Sequence, residues 1–86
     1  MDKAAIIKKL HEELHEELEG VKEYHEMAAH AMGMHEVSLA KHLRAIAKDE
    51  FTHADYIHRV LMENGVALTD AEKQMWDHVW GMMTWK

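Results

Sequence analysis

An all-helical fold follows from three features of this 86-residue chain. Proline is absent, glycine occurs only four times, and apolar residues recur at steps of three and four between runs of Glu, Lys, Ala, Leu and Met. So short a chain makes one domain, spanning residues 1–86. Alone it buries a modest core, which favours oligomerisation.

The elements read in order. Asp2 caps a first helix over about residues 2–32, and Gly33 is a natural stop because glycine tolerates a left-handed turn. A second helix runs over about residues 36–64 and closes at Asn64-Gly65. Thr69-Asp70-Ala71-Glu72 is a capping box that opens a third, shorter helix over about residues 69–85. The expected architecture is an antiparallel two-helix hairpin plus a short third helix.

Composition narrows the function. Net charge is −6 with no basic stripe, so nucleic acid is not an expected partner. Cysteine is absent, which removes disulfides, thiolate zinc sites and iron–sulfur centres. No apolar run reaches membrane length and no signal peptide precedes the first helix, so a soluble, cytoplasmic protein is expected. Nine histidines beside sixteen carboxylates point towards metal.

His11-Glu12-Glu13-Leu14-His15 matches HExxH, the zinc-protease pattern. That chemistry also needs a third ligand, an open coordination position and a cleft, and little chain remains to build them. An exposed pair one turn apart on a charged face is the simpler reading. His15 and Glu19 also fit the HxxxE spacing of a hemerythrin-like site, but off the apolar seam.

The seams carry more information. Helix 1 presents Leu10, Leu14, position 17, Val21, Tyr24 and Ala28; helix 2 presents Leu39, Leu43, Ile46, positions 50 and 53, then Ile57. The apolar run is broken by Glu17, Glu50 and His53. In a hairpin centred near Gly33–Met34, Leu10 faces Ile57, Val21 faces Ile46, Gly20 faces Ala47, and Glu17 shares a level with Glu50. On the flank, Glu19, Glu23 and Glu26 face Lys48, Arg44 and Lys41. Carboxylates are seldom buried without a partner, and an unpaired buried charge is very costly. Three polar side chains at one level of an apolar seam are therefore most simply explained by metal. The alternative is a solvated stretch of seam, or a Glu–His hydrogen bond. Oxygen and imidazole donors suit iron, and also manganese or zinc.

Glu16-Glu17-Leu18-Glu19-Gly20-Val21-Lys22-Glu23-Tyr24 on helix 1 and Asp49-Glu50-Phe51-Thr52-His53-Ala54 on helix 2 resemble the ferritin-like di-iron family, in its rubrerythrin branch. In type they are most similar to two-helix encapsulated ferritins, over roughly residues 10–62. The resemblance implies Glu17 as terminal ligand, Glu50 as bridging carboxylate, and His53 as nitrogen ligand. It implies Tyr24 and Asp49 as residues supporting the ligands, and Glu16 and Glu19 near a metal-entry route, although surface charges are the simpler reading of the last two. One chain supplies half a ligand set. A homodimer or larger even-numbered ring is therefore implied, with a four-helix bundle and two irons at each dimer interface. The activity implied is ferroxidase: oxidation of Fe(II) by O2 or peroxide. The rivals are rubrerythrin-like peroxide reduction and a non-catalytic helical metal-binding or interaction module. An encapsulin shell, and with it a protein nanocompartment, also belongs to what the resemblance implies. The Gly/Ser-rich tail with a short apolar end that would dock to such a shell is not visible in the sequence.

The remaining histidines lie mostly off the seams and read as surface or interface groups. Met75, Trp76, Val79, Trp80, Met82 and Met83 form a broad apolar surface on helix 3, which is expected to pack against another subunit. Haem held by methionine is the alternative reading of that surface; hydrophobic packing is simpler.

Overall fold

The computed structural model describes residues 1–84 in three helices: α1 (Lys3–Gly33), α2 (Val37–Glu63) and α3 (Asp70–Thr84). No strand occurs among the described residues. The chain is all-helical, a hairpin of two long helices followed by a short third. Trp85, the expected end of helix 3, lies outside the described residues.

Local chemistry explains the helix ends. Asp2 Oδ1 accepts a hydrogen bond from the Ala5 N–H at 2.8 Å, satisfying one of the free donors of the first turn. The α1 stop differs from expectation: Gly33 stays helical and His35, at φ 61°, takes the left-handed position. The His35 and Glu36 N–H groups then bond back to the Met32 and Ala31 carbonyls at 3.0 and 2.9 Å. This is a Schellman turn with histidine where glycine is usual. Helix α2 ends with the same pattern, Gly65 N–H to Met62 and Val66 N–H to Leu61, and here the left-handed residue is a glycine (φ 72°). Helix α3 opens with its capping box formed: Glu72 Oε1 accepts from the Thr69 N–H at 2.8 Å, and Thr69 Oγ1 accepts from the Glu72 N–H at 3.2 Å.

Antiparallel packing of α1 on α2 makes the body of the molecule. Leu14, Leu18 and Val21 of α1 meet Ala54 and Leu61 of α2 in one cluster; Ala28 and Ala31 meet Ala40 and Leu43 in a second. The α2 contact stripe is thus alanine-rich: Ala40, Ala47 and Ala54, seven residues apart, are all buried. Leu39 and Ile46, expected in the seam, are 46% and 39% exposed. They sit one residue before each of the first two alanines and point to the next face of the helix. The register shifts with them, so that Gly20 faces Glu50 rather than Ala47. None of the expected flank pairs, Glu19–Lys48, Glu23–Arg44 and Glu26–Lys41, forms an ion pair among the described residues. Exposed pairs gain too little in water to hold long side chains together.

Helix α3 folds back over the hairpin. Val79 is fully buried against the Leu14–Leu18–Val21 cluster, with Met75, Trp76, Met82 and Met83 partly covered around it. Phe51 of α2 receives Trp76 and Trp80 at ring separations of 5.1 and 5.8 Å. Most of the apolar surface expected to meet another subunit is thus packed within the chain. Trp80 stays half exposed.

Three helices in an envelope of 49 × 22 × 17 Å cannot enclose both sides of the hairpin. With α3 on one side, the other side is open. Two heptad stripes run along it: Ile6, Glu13, Gly20, Met27 and Met34 on α1, and Leu39, Ile46, His53 and Val60 on α2. Ile6, Met27, Met34, Leu39 and Ile46 are all exposed.

Candidate metal centre

Glu17 lies midway along α1, at the edge of the contact with α2; its side chain is 19% exposed. Glu50 and His53 sit one turn apart on α2, so both reach the same side of the helix. One ligand atom from each of Glu17, Glu50 and His53 falls within 4.8 Å of the other two. No other such group of three occurs among the described residues. Donors bound at about 2.1 Å to one ion lie roughly 3–4 Å apart, so small side-chain rotations bring the three onto a cation. His53 is 66% exposed and stands in the α2 stripe of the open face. The group is therefore walled by the hairpin on one side and open on the other.

The electrostatics of Glu17 carry the case for a cation. Its Oε2 is out of contact with solvent and has no hydrogen-bond partner among the described residues. His53 Nδ1 is 3.6 Å away, too far for a hydrogen bond. Burial raises the Glu17 carboxyl from its ordinary value to about 7; the neighbouring Glu50 carboxylate pushes the same way, and His53 opposes them. An orphaned oxygen on a carboxylate that resists ionisation, with a second carboxylate and an imidazole converging on it, fits a divalent metal ion. A bound cation would supply the missing partner and favour the ionised form. No lysine or arginine pairs with either carboxylate among the described residues.

The other expected site residues fall outside this group. Tyr24 packs against the Ala28–Ala31–Ala40–Leu43 cluster, two turns beyond Glu17, and its hydroxyl makes no hydrogen bond among the described residues. Asp49 is exposed beside Glu50. Glu16 is exposed, and Glu19 makes only a long 3.9 Å pair with His15 on the helix surface.

The HExxH histidines also separate. His11 Nδ1 donates to Glu72 Oε2 at 2.6 Å, while the other oxygen of Glu72 serves the capping box. Glu72 is 5% exposed, the one charged residue in the core among the described residues. His11 thus tethers α1 to the start of α3, a role its sequence did not announce. The available signal was the capping-box glutamate, whose second oxygen still needed a donor. His25, partly buried and near Arg44, is held below its ordinary pKa first by burial and then by that cation. His58 packs at a tilt against Trp76, with ring centroids 4.8 Å apart.

The family model for the ferritin-like domain matches residues 7–83, a span that includes Glu17, Glu50 and His53 and reaches into α3. No curated protein and no solved structure matches the chain.

Proposed function

The chain belongs to the ferritin-like family, and on that premise we propose that Glu17, Glu50 and His53 are one half of a di-iron site completed by a second copy of the same chain. The observation that carries this reading is the buried, unpartnered Glu17 Oε2, with two further donors converging on it at the open face. Two chains about a two-fold axis supply four carboxylates and two imidazoles. Four negative charges balance two Fe(II) ions, which offsets the cost of burying them. The heptad stripes on either side of His53 give the second copy an apolar surface to cover, and the paired hairpins make a four-helix bundle. On this reading the protein is of the two-helix, half-ferritin type near the rubrerythrins.

The proposed activity is ferroxidation. Iron is the substrate: two Fe(II) each give up one electron and become Fe(III), and the pair goes with two protons either to O2, which leaves as hydrogen peroxide, or to hydrogen peroxide, which leaves as two waters. Glu17 and Glu50 would hold the ions through carboxylate oxygens, and His53 would add a nitrogen donor from the exposed edge. Across the interface, Asp49 would accept from the free ring N–H of a ligating imidazole and fix its orientation. Tyr24 stands two turns along α1 from Glu17, on the packed side. Glu16 and Glu19 lie on the outward surface, where they raise the local concentration of cations. Manganese or zinc would bind the same donors without this turnover.

The test compares Fe(II) oxidation by O2 and by peroxide, followed by absorbance and oxygen consumption, in the native protein and in Glu50→Ala. Loss of catalysed oxidation in the variant is expected. Equal rates in both proteins would leave a non-catalytic metal-binding module as the reading. Turnover with peroxide and an external reductant but not with Fe(II) and O2 would move the activity to peroxide reduction.

A further inference from the structure

Gly20 lies in the interior of a 31-residue helix, where glycine is the least favourable residue after proline. Its backbone is helical and not left-handed, so conformational freedom does not explain it. Neither is it at a helix end, as Gly33 is, or in a turn, as Gly65 is. What distinguishes it is its neighbour. A Cβ placed on Gly20 would stand 3.1 Å from both Cδ and Oε2 of Glu50, and 3.5 Å from Oε1. The carboxylate of Glu50 occupies space that a side chain at position 20 would take. At Gly33 and Gly81 the same imagined Cβ meets nothing within 4 Å among the described residues.

We infer that Gly20 is a positioning residue for the metal centre: the missing side chain forms a notch in α1 that seats the Glu50 carboxylate level with Glu17. This rests on the reading of Glu50 as a metal ligand. The crowded atoms are at the far end of a flexible side chain, so a methyl group at position 20 displaces the carboxylate and leaves the helices where they are. The displacement is of a few tenths of an ångström or more, directed away from α1. That disturbs a carboxylate required to meet its ions at defined distances. The glycine is therefore held at the expense of helix stability, and its substitution should separate folding from binding.

The experiment uses the full chain freed of metal and titrated with Co(II), whose visible absorption reports ligand number and geometry. The variants are Gly20→Ala, Gly81→Ala as a control for the same change in open space, and Glu50→Ala. Gly20→Ala should raise the melting midpoint of the metal-free protein by about 4 °C. It should also weaken Co(II) binding by roughly 10–100-fold, with a changed spectrum. Gly81→Ala should leave Co(II) affinity and spectrum unchanged. If Gly20→Ala binds Co(II) like the native protein while Glu50→Ala does not, the notch has no positioning role and the inference fails, with the site reading intact. If Glu50→Ala also binds normally, the site reading fails first and takes the notch with it. A Gly20→Ala protein that melts lower or does not fold would show the glycine serving helix packing, which also overturns the inference.

Discussion

His53 Nδ1 stands 3.6 Å from Glu17 Oε2 across the hairpin, near enough to feel its charge and too far to share a proton. Glu17 is therefore left with burial and Glu50 as the stronger influences, and its carboxyl is raised from 4.5 to about 7. A proton is bound more tightly in the folded chain than in the unfolded one. The stabilising contribution is complete below about pH 4.5 and is lost as pH rises through about 7. The metal-free protein should accordingly lose stability between these values, in urea melts taken at half-unit steps. A divalent ion reverses the trend, because it binds the ionised form; at pH 6, binding should release close to one proton per chain from Glu17, falling towards none by pH 8. Calorimetry in buffers of different ionisation enthalpy measures this release.

The open face makes a second prediction. Ile46 lies in the α2 heptad stripe, one turn-pair from His53, and is 39% exposed in the single chain. Ile46→Glu places a charge where the second copy should pack. The variant should remain helical by circular dichroism and become monomeric by light scattering, and it should lose metal with its partner. An unchanged mass would remove this face from the interface.

A third prediction concerns the tether between α1 and α3. His11→Ala leaves the buried Glu72 with its capping bond but without its 2.6 Å donor. The cost should be about 1–3 kcal/mol in urea unfolding at pH 7, with metal binding unaffected. Zinc affinity unchanged by this substitution would also dispose of the HExxH reading directly.

The paired Schellman turns allow an internal comparison. His35 adopts φ 61° where Gly65 adopts φ 72°. His35→Gly should stabilise the protein by about 0.5–1 kcal/mol, and Gly65→Ala should destabilise it by a similar amount, both read from thermal melts.

The physical reasons for success and failure at the sequence level are specific. Asp2, the Asn64-Gly65 stop and the Thr69–Glu72 box act within a few residues, so their chemistry is written locally and all three form. The level shared by Glu17, Glu50 and His53 was also legible, because three polar side chains interrupt two apolar seams at one height. The register beside them was not. On α2 two heptad stripes run one residue apart, Leu39–Ile46–His53–Val60 and Ala40–Ala47–Ala54–Leu61. Residue size favours the first as core; the chain buries the second, since alanine lets α2 approach α1 closely and leaves the larger side chains outside. The notch at Gly20 follows from that choice and was invisible without it. His11 and Glu72 are 61 residues apart, and each belongs to a residue type that is usually solvated, so nothing in the pattern joins them.

The shared di-iron centre is tested most directly by measuring iron content and oligomer mass together on anaerobic Fe(II)-loaded protein, alongside Glu50→Ala. The account predicts about one iron per chain in an even-numbered oligomer, with the iron lost in the variant. A native protein that stays monomeric, or that carries no iron under these conditions, would contradict it.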